Sequence, residues 1–318
     1  MSNMPAPPLE NILDEGKIPC HHFYYEWKGH PLEHLTLFHD VTRSIRPGKP
    51  VIWLAGDSSL DNKYWVQKRE SSDPAPEIYL HTLDTPTPKP DVAFWMNEAL
   101  EERATCINSA VEESTLRDRE GGLLEHDQFI RNHIRKEDVL IVSVGANDVA
   151  LRPTTNTIRH MLQVGWLTSL RRIENGKSSS LVYFIKELFG DKVQNYIEAL
   201  TARTKPRAVV VCMIYFPLEV KFGQKSWARV QLKLLGYDRW PGRIQAALRT
   251  MYEIGTKQIG VSGTEVIPCA LFEVLDGKNP QDYTARVEPN REGGRKIATR
   301  FVELLKPLLT RSDTGTST

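Results

Sequence analysis

The sequence predicts an α/β protein with a central parallel sheet of about five strands. Two observations carry this. Five short apolar runs are spread along the chain: residues 51–55 (VIWLA), 104–108 (ATCIN), 138–144 (DVLIVSV), 207–215 (RAVVVCMIY) and 264–272 (TEVIPCALF). Such runs fill buried strands. Stretches with helical spacing separate them, and strands alternating with helices form parallel sheets.

Taken in order, residues 1–16 are Pro-rich at first and read as a mobile arm. Residues 21–27 (HHFYYEW) are aromatic and read as an edge strand or flap. His21 and His22 do not suggest a metal, because neighbours on a strand face opposite sides. After the first strand, a helix is expected from Ser59 to about Glu70. Residues 71–90 hold five prolines and read as a loop. Helices are expected at 91–103 and 123–134. A long helical block at 157–202, broken at 175–180, and a partly exposed excursion at 217–240 read as insertions. Residues 242–258 form an amphipathic helix, 276–290 a polar loop and 291–309 a closing helix. Residues 310–318 are a polar tail, expected to be disordered. The span 17–309 reads as one domain, with no internal repeat.

Composition narrows the function. The 318 residues are 40% hydrophobic and 25% charged, the profile of a soluble globular chain. With 41 basic and 40 acidic residues, nothing points to nucleic acid. No run reaches the length of a membrane span or a signal peptide, so a cytoplasmic location is expected. Cys20, Cys106, Cys212 and Cys269 are widely spaced. Three of them lie in strand-like runs and read as buried reduced thiols.

The chemistry gathers after the strands. Gly56-Asp57-Ser58 follows the first, so the Ser58 hydroxyl is held at the C-terminal edge of the sheet, where α/β clefts lie. Gly-Asp-Ser alone is also ordinary turn chemistry. Residues 108–115 (NSAVEEST) follow the second strand and Gly145-Ala146-Asn147-Asp148 the third. Residues 288–298 (EPNREGGRKIA) open the closing helix.

These four ordered blocks resemble those of the SGNH (GDSL-type) hydrolases. The resemblance implies a three-layer α/β/α flavodoxin-like fold and a serine esterase. Ser58 would be the nucleophile, and an oxyanion hole would come from the Ser58 and Ala110 amides and the Asn147 side chain. Ala110 stands where that family usually has glycine, and an alanine still offers its N–H. Asp57, Asp282 and Arg286 are candidate substrate contacts. A small-molecule acyl ester is the implied substrate, with no metal or organic cofactor.

The last block departs from the family at its base. Glu288 occupies the usual histidine position, and Ala285 the aspartate three residues before it. No histidine follows His160. Three readings stay open. Glu288 is the base, which requires burial to raise a pKa that is ordinarily about 4.3. Alternatively His39, His81, His126 or His160 enters the site from another segment. Alternatively the scaffold binds a ligand or partner without hydrolysing it. The insertions are expected to cover the cleft. Their Trp166, Trp227 and Trp240 are accounted for by core packing.

Overall fold

The computed structural model describes residues 16–67 and 74–310. The expected arm falls almost wholly outside these residues, as does the expected tail beyond Thr310. The first half contains α1 (Cys20–Phe23), α2 (Leu32–Ile45), β1 (Val51–Gly56), α3 (Glu77–Thr82), α4 (Val92–Leu100), β2 (Thr105–Asn108), α5 (Glu125–His133) and β3 (Val139–Ser143). There follow α6 (Ala146–Ala150), α7 (Thr155–Leu162), α8 (Leu170–Glu174), α9 (Ser179–Phe184), α10 (Asp191–Leu200) and β4 (Ala208–Met213). The chain closes with α11 (Arg229–Leu234), α12 (Pro241–Ile254), β5 (Glu265–Ala270), β6 (Tyr283–Thr284), β7 (Glu288–Pro289) and α13 (Arg291–Thr310).

Strands β1 to β5 form one sheet in the order β2-β1-β3-β4-β5, with every neighbouring pair parallel. The central strands β1, β3 and β4 are buried along their whole length because both faces are covered, while the edge strand β5 starts exposed at Glu265. Val51, Trp53 and Ala55 of β1 join one core, while Ile52 and Leu54 join the other. The first core packs against α2, α5, α10 and α12, and the second against α4 and α13. The result is a three-layer α/β/α fold with the flavodoxin-like strand order. Cys106, Cys212 and Cys269 lie on β2, β4 and β5 as buried free thiols. No helix among the described residues is long and apolar enough to cross a membrane.

Three local expectations are corrected. Residues 20–23 form a helical turn rather than a strand. Cys20 and Phe23 are the buried residues of that turn, three apart and so on one face. His30 then stacks on Phe23 at 3.9 Å between ring centroids. Among the described residues no α-helix runs on from Ser59, and a 3-10 turn at Asn62–Tyr64 stands in its place; residues 68–70 of the expected helix lie outside the described residues. Side chains there bond elsewhere: Asp57 Oδ1 accepts from the Ser59 N–H at 3.1 Å. Asn62 accepts from the Val92 N–H and donates to the Pro289 carbonyl. Asp and Asn that bond this way compete with helix. Finally, the Pro-rich stretch contains α3, because residues 77–82 are free of proline and bury Ile78, Tyr79 and Thr82.

The two insertions pack on each other. A Cβ on Gly165 would lie 2.4 Å from the Leu235 carbonyl oxygen, so only glycine permits this approach. Trp166 donates from Nε1 to the Leu234 carbonyl at 2.9 Å, and its ring meets Trp240 edge-on at 5.0 Å.

Candidate active site

The strand order reverses between β1 and β3, and the crevice of such a sheet opens there, beyond the strand ends. Ser58 follows β1 and Asn147 begins α6 just after β3. The turn into Ser58 is tight. Gly56 has φ +143°, and a Cβ there would lie 1.7 Å from the Ser143 carbonyl oxygen. That carbonyl accepts from the Asp57 N–H at 3.1 Å, locking the end of β1 to β3. Asp57 Oδ1 also accepts from the Ser59 hydroxyl at 2.8 Å, while its Oδ2 has no partner among the described residues. Burial, with a smaller repulsion from Asp148, raises the Asp57 pKa to about 6 against the hydrogen bonds from Ser59. The Ser58 N–H donates to no acceptor among the described residues.

Asn147 is buried, and its Nδ2 donates one hydrogen bond to the Ser114 carbonyl at 3.2 Å. An amide nitrogen carries two hydrogens, so one remains to serve an oxyanion. Asp148 accepts from the Leu116 N–H at 2.8 Å and fastens the loop that holds Ser114.

Glu288 comes to this place on a small hairpin. Thr284 of β6 pairs with Glu288 of β7, and the turn between them puts Ala285 at φ +52° and Arg286 at φ +66°. Two non-glycine residues in the left-handed region cost on the order of 1–2 kcal/mol each. Tertiary bonds hold them there. Arg286 donates from Nε to the Leu218 carbonyl at 2.9 Å and from Nη2 to Asp238 at 2.8 Å, and its own carbonyl accepts from the Leu218 N–H. The hairpin is thereby riveted to residues 217–240. That excursion returns Trp227 to the site, where Nε1 donates to Glu288 Oε1 at 3.1 Å. Asn62 ties the other end, through Pro289, to the segment that follows Ser58.

Glu288 is 2% exposed. Burial is the main cause that pushes its pKa up to about 7, with Asp57 adding repulsion; the nearby Ser58 hydroxyl and the Trp227 N–H oppose this. Across from it stands Glu112, also buried, whose Oε1 accepts from Trp65 Nε1 at 3.0 Å. Burial and then repulsion from Glu288 raise Glu112 to about 9.

Two chambers meet here, and Asn147, Trp227 and Glu288 line both. The first, of about 130 Å³, contains Ser58 and runs under the insertions, with Phe184, Leu232, Leu248 and Met251 among its walls. The second, of about 520 Å³, opens towards Trp27, Tyr64, Trp65 and Glu112.

The sequence-derived candidates divide accordingly. Ser58, Asp57, Asn147 and Glu288 converge on the first chamber. Ala110 does not line it, and its N–H donates to Asn108 Oδ1 at 3.1 Å, so the expected third oxyanion donor is engaged elsewhere. Asp282 pairs with Lys296 at 2.8 Å, and Arg286 with Asp238; both brace the hairpin rather than facing the cleft. His39 packs among Trp53, Phe129 and His133. His81 is exposed beside Glu77, His126 bonds the His30 carbonyl, and His160 stacks on Tyr183. None of the four lines either chamber. Sequence reading missed Glu112 and the part played by Trp227. Glu112 lay in the quoted second block, two residues past Ala110, where an acid in a loop gives no sign of burial. Trp227 stood in a segment whose return to the cleft only the fold reveals.

No family model and no curated protein matches the sequence. Similar solved structures include an extracellular lipase from Streptomyces rimosus, 12% identical with a TM-score of 0.46, the match covering 81% of this chain and 99% of that one. A phospholipase A1 from Streptomyces albidoflavus is 11% identical with a TM-score of 0.42, over 80% and 99% of the two chains. An aryl esterase from M. smegmatis is 13% identical with a TM-score of 0.40, over 81% and 99%. The strand order gives the chain a three-layer flavodoxin-like fold, and residues of the first, third and fourth blocks line one chamber beyond its strand ends.

Proposed function

We propose that the protein is a serine ester hydrolase in which Glu288 takes the place of the usual histidine base. One observation carries the reading. Ser58, Asn147 and Glu288, distant in sequence, line one chamber at the switch point of the sheet, and Glu288 is buried so that its pKa rises to about 7. A base is most effective when its pKa lies near the working pH. Burial thus supplies what an ordinary glutamate lacks.

The Ser58 Oγ attacks the ester carbonyl carbon and its proton passes to the Glu288 carboxylate. The Ser58 N–H and the remaining Asn147 Nδ2 hydrogen hold the oxyanion; the Ala110 amide is left out because Asn108 already takes it. As the tetrahedral intermediate collapses, the leaving alkoxide takes the proton from Glu288, and an acyl-serine remains. Water then adds to the acyl-serine, giving its proton to Glu288. Collapse returns the Ser58 hydroxyl and frees the acid. Trp227 fixes the Glu288 carboxyl through Oε1 while the other oxygen remains available. The chamber under the insertions, at about 130 Å³, is comparable to the ~150 Å³ apolar cavity that admits benzene, which suits a small or medium acyl group.

The absence of histidine from the lining of both chambers favours a second reading, a binding protein that does not hydrolyse its ligand. A fluorophosphonate probe separates the two. Labelling that maps to Ser58 and is lost in Ser58→Ala supports the hydrolase. A folded parent protein that takes no label at any pH from 6 to about 9, the range in which Glu288 ionises, leaves the binding reading.

A further inference from the structure

The second chamber has its own chemistry. Its wall carries four aromatic rings, Trp27, Tyr64, Trp65 and Trp227, and three carboxyl side chains, Glu112, Glu113 and Glu288, with no lysine or arginine in the lining. Trp27, Tyr64 and Trp227 are among the exposed large side chains of the protein, and here they gather at one opening. Glu113 is neutralised at the rim by Lys28 at 2.9 Å, and that lysine ammonium sits 4.5 Å from the Trp27 ring centre. The protein's own cation therefore already uses the acid-plus-aromatic pairing that the chamber offers.

Glu112 and Glu288 have no such relief. Each is more than nine-tenths buried, each accepts one tryptophan N–H, and each keeps Oε2 without a hydrogen-bond partner among the described residues. The buried lysine Lys63 is held by Asp61 at 2.6 Å. The Trp65 and Trp227 N–H groups are each spent on one carboxyl oxygen, so the second oxygens of Glu112 and Glu288 are left facing the chamber's aromatic wall. Such a surface favours a ligand that brings positive charge, and aromatic faces attract cations through their quadrupoles.

We propose that this chamber binds an organic ammonium group, with Glu112 as its counter-ion and Trp27, Tyr64 and Trp65 as its cage. This rests on the esterase reading for its consequence: the substrate would be an ester whose alcohol carries an ammonium, the acyl group lying under the insertions and the cation on the far side of Ser58. Burial and the Glu288 charge keep Glu112 protonated while no cation is bound; an ammonium takes the place of that proton, so the carboxyl ionises as the cation binds.

Binding is tested without turnover, on the full chain carrying Ser58→Ala, by calorimetric titration with tetramethylammonium and with its neutral isostere tert-butyl alcohol at fixed ionic strength. Tetramethylammonium should bind at least about tenfold more tightly than the alcohol. Glu112→Gln should remove most of that preference. Because Glu112 is buried, Tyr64→Leu at an exposed ring serves as the second variant and should weaken the ammonium several-fold. Equal affinity for the two probes, or a preference that survives both substitutions, overturns the inference. The outcomes separate from those of the esterase test. Fluorophosphonate labelling of the parent without ammonium preference removes the cation site alone. Ammonium preference without labelling upholds the site and removes the esterase.

Discussion

Glu288→Gln is the most informative single change. The substitution keeps the size of the side chain and an oxygen to accept from Trp227 Nε1, but it cannot take a proton. If Glu288 is the base, esterase kcat should fall by about 10²–10⁴, the usual contribution of general-base catalysis. In the parent the ionised, active form of Glu288 grows as the pH rises through about 7. Activity should therefore be about one tenth of its plateau at pH 6 and about nine tenths at pH 8. An unperturbed glutamate would place that limb near 4.3. Glu112 is pushed well above this range, but Asp57, raised to about 6, also titrates within it, so it is the loss of the limb in Glu288→Gln that assigns it to Glu288. The same shift fixes a stability effect and its sign. The folded state holds the Glu288 proton more tightly than the unfolded chain does. Its contribution is fully present below about pH 4.5 and is lost as the pH rises to about 7. A rise from 4.5 to about 7 amounts to roughly 3 kcal/mol. Glu288→Gln should thus gain up to about that much at pH 8 relative to the parent, and little at pH 4. Urea unfolding at the two pH values measures it, beside steady-state rates on a nitrophenyl acetate. Parental activity in the variant, or a parent profile flat between pH 5.5 and about 8.5, would rule out Glu288 as the base.

Further expectations follow from the site. Asn147→Ala should lower kcat on the same ester by about 10²–10³, the usual cost of losing one oxyanion donor, with a smaller change in KM; a change confined to KM would assign Asn147 to binding. Arg286→Ala leaves the Leu218 carbonyl and Asp238 without their partner and should destabilise by about 1–3 kcal/mol. It should also lower kcat by freeing Trp227 from Glu288, and unchanged kinetics in a folded variant would show that the hairpin positions itself without this rivet. Leu232→Trp puts bulk into the first chamber and should shorten the accepted acyl chain while acetyl turnover persists; an unaltered rate profile over acyl length would mean that the insertions do not set this preference. Gly56→Ala forces a Cβ against the Ser143 carbonyl and should destabilise by more than about 4 kcal/mol, seen as a lost or much lowered thermal transition.

What the sequence determined by itself is the sheet and the places where chemistry gathers. VIWLAG, VLIVS and AVVVCM are apolar at every position but the last of VLIVS because both faces are buried, and that pattern is local. The residues after those strands are fixed at one edge as soon as the strands are parallel, which is why Ser58 and Asn147 could be placed beforehand. Short segments resisted the same reading. Residues 20–23 and the stretch after Ser58 are too brief for periodicity to decide, and their side-chain partners, such as Pro289 for Asn62, lie far along the chain. Tertiary structure alone decided the electrostatics. A glutamate at position 288 is an ordinary surface acid until the β6–β7 hairpin buries it beside Asp57 and beneath Trp227, because a pKa follows desolvation and neighbouring charge, which no spacing encodes. For the same reason the Ala110 amide was legible as a donor but not as one already taken by Asn108. The aromatic and acidic wall of the second chamber joins residues 27, 64, 65, 112 and 227 and became visible only when the fold brought them together.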